Sequence, residues 1–141
     1  MRLEHSLVVA RPVEEVFEFL AEPANLHRWQ TGVLEVTKER EEPGLGARHV
    51  EVRSVLGQRI VQTLEVTAYE RGERLDLSVV KGPLVLSVSH RFRPEQGGTR
   101  IDVVGEGDPG PRFRMAGPFL ARAVERQSKR DFARLKRLLE G

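Results

Sequence analysis

The feature that most constrains this chain is a change in the spacing of its apolar residues. Leu3 to Val9 alternates like a strand, and Val13, Val16, Phe17 and Leu20 then follow at helical spacing. From Val33 to Gly105 the apolar period is near two, and from about Met115 to Leu139 it is helical again. The implied order is one strand, short helices, a long meander and a long final helix. That order predicts an α+β architecture in which a cavity can form between a curved sheet and a helix.

Breakers divide the chain further. Pro12 suits the first position of a helix because its missing N–H is not needed there, and Glu14 and Glu15 favour the positive end of the helix dipole. Glu22-Pro23 ends that helix, and Ala24 to Trp29 leaves room for a short second one ending near Thr31-Gly32. The meander is read as strands over 33–40, 47–55, 59–69, 74–80, 84–92 and 99–105. The links between them are too short for crossovers, so sequence neighbours pair antiparallel. The run from Gly105 to Pro111 holds too many glycines and prolines for a regular element and is expected to be a flexible loop. Beyond it, Leu120, Val124, Ser128, Phe132, Leu135 and Leu139 share one helix face, with Phe119, Ala123 and Leu138 beside them, and Gly117-Pro118 predicts an irregular first turn.

At 141 residues the chain is long enough for a substantial core and is expected to form one domain over 1–141. No apolar run approaches the roughly 20 residues that span a bilayer, so a soluble, cytoplasmic protein that does not span a membrane is expected. The absence of cysteine excludes disulfides, thiolate nucleophiles and cysteine-bound metal. Basic residues crowd the last helix (Arg122, Arg126, Lys129, Arg130, Arg134, Lys136 and Arg137) and read first as its solvated face. Only Phe132 is an aromatic among them, so no nucleic acid partner is expected.

Several segments together resemble the START-like or helix-grip superfamily, in particular its bacterial polyketide cyclase/dehydrase-type branch. They are VVARPVEEVFEFL, PANLHRW with its tryptophan, GARHVEVRS, the pair GPLVLSVSHRF and GGTRIDVVGEG, and the ending DFARLKRLLEG. The resemblance implies a curved seven-stranded antiparallel sheet gripping the final helix around a hydrophobic cavity. The family usually carries an aspartate before the proline that opens helix two; here that residue is Glu22. Members include lipid carriers, hormone-binding proteins, ring-closing enzymes and partners of larger assemblies, so the fold alone does not supply the function.

Alternation assigns faces, because residues two apart on a strand share a side. Leu84, Leu86, Val88, His90 and Phe92 are predicted to face inward, which makes His90 an imidazole in an apolar row and the best candidate for an acid or base. Ile60, Gln62, Leu64 and Val66 form a second inward row in which Gln62 is a buried amide needing a partner. His5 shares a face with Leu3, Leu7 and Val9, and Arg48 is aligned with Val50 and Val52. Trp29 is expected at one end of the cavity, as an anchor of helix two or as lining. Phe113, Met115 and Phe119 are expected to form a lid or to seal the core, with Val124 lining from the helix.

His27 and His49 are read as exposed, and no two histidines have helical metal spacing beside a carboxylate, so neither a metal nor a cofactor is expected. Nucleophile-elbow, phosphate-loop and dinucleotide motifs are absent, and Glu51, Glu65, Asp76 and Asp102 are assigned to outward faces, leaving no pair of carboxylates in one cavity. The expected function is binding of a hydrophobic or amphipathic small molecule of lipid, polyketide or aromatic type, as carrier or sensor. The alternatives are a cyclase or dehydratase acting through His90, and a module that docks on a protein partner by its basic helix, marked by a small or absent cavity. Either a monomer or a homodimer would serve.

Overall fold

The computed structural model describes residues 1–141, leaving out the side chain of Arg112. Strand β1 (Arg2–Val9) leads into helix α1 (Val13–Ala21), a 3-10 turn (Pro23–Asn25) and helix α2 (Leu26–Trp29). Six strands follow: β2 (Val33–Lys38), β3 (Arg48–Val55), β4 (Gln58–Glu70), β5 (Arg74–Lys81), β6 (Val85–Glu95) and β7 (Gly98–Asp108). The chain ends in a one-turn helix α3 (Pro111–Arg114) and the long helix α4 (Gly117–Glu140). The seven strands form one antiparallel sheet in the order β1-β7-β6-β5-β4-β3-β2, the helix-grip arrangement that the family resemblance implies. Among the described residues no helix is long and apolar enough to cross a membrane.

Local chemistry places the first helices. Pro12 stands just outside α1, in extended conformation, and its carbonyl accepts the first helical bond from Val16 N at 3.1 Å. Glu22 does the work of a shorter capping side chain: its carboxylate accepts from Ala24 N at 3.0 Å and from Lys38 Nζ at 3.0 Å. Burial pushes the Glu22 pKa up, and the bonds from Ala24 and Lys38 more than offset this and hold it below the ordinary carboxylate value.

The β4–β5 pair shifts register at Thr63/Leu64 and Val66/Ala68, where first β5 and then β4 gains a residue on its neighbour, irregularities of the kind that bend a sheet. Its concave face does not meet α4 along the whole helix. A large core joins Val16 and Phe17 of α1 to Leu75, Phe92 and Ile101 of the sheet and to Phe132, Leu135 and Leu139 of α4. A separate small cluster joins Ile60, Phe113 and Leu120 at the other end.

The segment 105–111 departs from the loop expected there. Gly105, Glu106, Gly107 and Asp108 continue β7, all four paired with β6 and the first two also with β1, and Pro111 opens α3. At Gly107 the neighbouring backbone leaves no room for a side chain: a Cβ there would lie 2.1 Å from the carbonyl oxygen of Val85. A Cβ at Gly105 would meet nothing within 4 Å. Gly107→Ala is therefore expected to destabilise the fold by about 2–3 kcal/mol, and Gly105→Ala to leave it unchanged or slightly firmer; denaturant midpoints of the two variants check the contrast.

Candidate ligand cavity

Between the two clusters the concave sheet and α4 stand apart and enclose a cavity of about 560 Å³. Alternation builds its walls. On β6 and the residue before it, Leu84, Leu86, Val88 and His90 line it, while Ser87 and Arg91 are exposed on the other face. Gln62 and Leu64 line it from β4, Leu3 and His5 from β1, and Trp29 from α2. Phe113, Leu120, Val124 and Phe132 close the helical side. Trp29 is also packed on Phe132, with ring centroids 5.3 Å apart, so it serves as anchor and as wall.

Three expected lining residues lie elsewhere. Phe92 follows His90 on the same face, but at its level α1 already covers the sheet; its ring packs edge-on against Phe17 at 5.1 Å, inside the large core. Met115 and Phe119 are 97% and 78% exposed. Gly117, at φ +46°, breaks the helical phase between α3 and α4, so that Phe113 and Leu120 turn inward while Met115 and Phe119 turn out.

The larger correction concerns β3. His49 and Glu51, expected to be exposed and outward, are 2% and 1% exposed and line the cavity. The opposite row is the outer one, and Arg48 there pairs with Glu65 at 2.7 Å. The reason is register. Leu56 and Gly57 both take positive φ (49° and 77°), making a two-residue hairpin turn. That turn sets Val55 opposite Gln58, hence Glu51 opposite Gln62 and His49 opposite Leu64. Once Gln62 faces inward, so must His49, Glu51 and Arg53.

A polar wall results. Gln62 Nε2 donates to Glu51 Oε1 at 2.6 Å, and Arg53 Nε donates to the same oxygen at 2.9 Å. Arg53 also donates to the Gln30 side chain. Burial pushes the Glu51 pKa up, but the Arg53 charge and the hydrogen bonds from Arg53 and Gln62 outweigh it, and the carboxyl sits below its ordinary value. Across the cavity, Asp131 of α4 is 6% exposed and accepts from Gln127 Nε2 at 2.9 Å and, at 3.4 Å, from the backbone and hydroxyl of Thr31. Two buried carboxylates, Glu51 and Asp131, thus line one cavity where no such pair was expected. Asp131 escaped notice because it neighbours Phe132 on an otherwise charged stretch of helix. Among the described residues no three His, Asp or Glu side chains group as metal ligands.

Three histidines, His5, His49 and His90, are shifted towards the neutral form. His90 Nδ1 lies 2.9 Å from Leu75 O, which fixes the proton on Nδ1 and leaves Nε2 as an acceptor. Burial lowers its pKa, against the pull of that hydrogen bond and of Asp76. Burial likewise lowers His49, with Arg53 adding to the effect and Glu51 opposing it. His5, stacked on Phe132 at 4.8 Å, is lowered by burial and by the Lys129 charge.

A family model described as polyketide cyclase / dehydrase and lipid transport matches residues 1–140. Solved structures share the fold at low identity. The Chromobacterium violaceum protein CV1439 aligns over 100% of this chain and 99% of its own, with TM-score 0.79 and 17% identity. The protein Ara h 8.0201 aligns over 99% of this chain and 97% of its own, with TM-score 0.73 and 13% identity. The di-domain ARO/CYC BexL from the BE-7585A biosynthetic pathway aligns over 97% of this chain and 45% of its own, with TM-score 0.72 and 19% identity. No curated protein matches the chain.

The depressed histidines set a pH dependence. Above about 6.5, the ordinary histidine value, folded and unfolded states are alike in charge at these positions; below it the unfolded chain takes up protons that the folded wall refuses. Stability should therefore be complete above about pH 6.5 and fall as pH drops through the folded pKa values of His5, His49 and His90, each adding at most about 1.4 kcal/mol per pH unit. Glu51, also depressed, adds a further loss once pH falls below the ordinary carboxylate range. Unfolding free energies between pH 8 and 4 check this, and His90→Phe should shallow the slope in the histidine window.

Proposed function

Because the chain belongs to the polyketide cyclase/dehydrase and lipid transport family, we propose that it binds a hydrophobic or amphipathic small molecule between the sheet and α4, as a carrier or sensor. The observation that carries this reading is the cavity itself. Protein interiors pack to crystal-like density, and an unfilled void forfeits the contacts its lining would otherwise make. Here about 560 Å³ is left open by a wall largely of Leu, Val, Trp and Phe side chains. Docking by the basic helix would need no such space, so the open cavity favours small-molecule binding over the interaction-module reading.

Burial alone sets a modest affinity. Covering about 300 Å² of apolar ligand surface at about 25 cal/mol per Å² contributes about 7.5 kcal/mol before the costs of association. That falls short of the roughly 8 kcal/mol of a micromolar complex, so tighter binding depends on polar contacts. A second reading has one observation in its favour: His90, pinned through Nδ1 to Leu75 O, keeps Nε2 free to accept a proton. In a cyclase or dehydratase, His90→Gln would abolish turnover and spare binding; full turnover in that variant would rule His90 out as the base.

Native mass spectrometry of protein purified from its own host, followed by denaturing extraction, tests the main reading. A co-purifying hydrophobic molecule is expected, and Leu86→Trp, which fills the cavity, should lower its retention more than about tenfold with little change in melting temperature. An empty protein that gains no thermal stability from a panel of lipids, polyketides and aromatics would overturn it.

A further inference from the structure

Two features of the helical layer have no task in the cavity. The first is the elbow between α3 and α4, Met115 to Phe119, which carries no charged side chain. Met115 is 97% exposed and Phe119 78%, and Gly117 and Pro118 between them are exposed as well. A single exposed apolar residue needs no explanation, but here two large ones stand four residues apart with nothing charged between them. The second is the outer face of α4. Phe119, Arg122, Arg126, Arg130, Ala133 and Arg137 recur every three or four residues, so they share one helix face, and all six are exposed. At about 1.5 Å per residue this stripe runs for about 27 Å with Phe119 at its head. No carboxylate interrupts it, and among the described residues none of its four arginines is within ion-pair distance of one. The basic side chains beside it are neutralised: Lys129 by Glu125 at 3.2 Å and Arg114 by Asp108 at 3.8 Å.

We infer that the elbow and the stripe form one docking surface for an anionic lipid bilayer, with Met115 and Phe119 entering the acyl boundary and the four arginines meeting the headgroups. The affinity of a helix for a membrane surface is the sum of the apolar area it buries and its attraction to anionic lipid, and both act here on the same face. That combination separates a bilayer from other polyanions. A nucleic acid would be met by the arginines alone and would leave Met115 and Phe119 in water, whereas a bilayer sets an apolar phase directly beneath a layer of negative charge. An arginine suits that boundary, its apolar stem against the acyl chains and its guanidinium among the phosphates. Helix α4 is too polar to cross a membrane, so it would lie along the surface. Phe113 and Leu120, on either side of the elbow, face inward and wall the cavity, so docking would bring the lightly held end of the cavity to the lipid. The surface does not need a filled cavity, and the inference therefore goes beyond the carrier or sensor reading.

Co-sedimentation with vesicles of phosphatidylcholine alone, or with about 30 mol% phosphatidylglycerol, at about 0.1 M salt tests this surface. The wild-type chain is expected to bind the anionic vesicles at least about tenfold more tightly than the neutral ones. Arg126→Glu with Arg130→Glu should lower the affinity for anionic vesicles by more than about tenfold, and Met115→Ser with Phe119→Ser by about tenfold. Melting temperatures should not change, because all four side chains are exposed. No binding of the wild type to anionic vesicles, or binding that the two serine substitutions leave unchanged, would overturn the inference. So would tighter binding to a DNA duplex or to polyglutamate, which would assign the stripe to a nucleic acid or an acidic protein. None of these outcomes bears on the cavity, which extraction of a bound molecule tests separately.

Discussion

The fold depends on one clamp, the fastening of the last turns of α4 to the β1–α1 link. The C-terminal carbonyls of a helix have no partners within it, and here Arg11 supplies them, with Nε donating to Leu139 O at 2.7 Å. Ala10 N donates to the Glu140 carboxylate at 2.8 Å, and Lys136 Nζ reaches Val8 O. Beneath these bonds Phe132, Leu135 and Leu139 sink into the large core. Because the helix is held so firmly at this end, its other half can stand off the sheet without unravelling. Phe113, Leu120 and Ile60 pin the far end only lightly. The cavity is the space between a strong support and a weak one.

The polar wall makes little sense as a device for stability. Desolvating Glu51 is costly, and a buried ion pair of this kind often gains nothing over an apolar pair of equal volume. Gln62 satisfies half its amide and leaves the other half unmatched, and His49 is buried with a nitrogen unpaired. Local rules broken together at one place, inside a cavity, mark a site more readily than a packing fault. Arg53 then has two tasks. It keeps Glu51 in the ionised form that can only accept, and so it fixes which end of the Gln62 amide faces Glu51.

Most of the fold was legible in the amino-acid sequence because apolar period and breakers act locally. The inward rows of β4 and β6, from Ile60 to Val66 and from Leu84 to Phe92, followed from alternation alone. The face of β3 did not, since its apolar residues, Val50 and Val52, lie on the wrong side. It follows only from pairing with β4, through a tight turn that places Leu56 at positive φ, where a leucine gives no warning. The extent of β7 was missed for a related reason. Gly107 read as a loop residue, but close approach of Val85 demands glycine within the strand. Met115 and Phe119 were misplaced because one glycine resets the helical phase, and an apolar face extrapolated through it rotates away from the cavity.

The same wall bears on carrier and catalyst alike, and the two place different demands on it. A catalyst must hold groups that strengthen their contacts as charge or protons move, since equal affinity for ground and transition states does not speed the chemical step. Glu51 is poorly suited to moving protons, because Arg53 and Gln62 already stabilise its ionised form. His90 is better placed, with one nitrogen anchored and the other unprotonated, yet its partner Leu75 O is a backbone carbonyl and cannot take up the charge that protonation would create. His49 has Glu51 nearby, but Glu51 is already engaged by a guanidinium and an amide. Groups so engaged reward residence of a ligand more than its conversion, in keeping with the carrier or sensor reading proposed above.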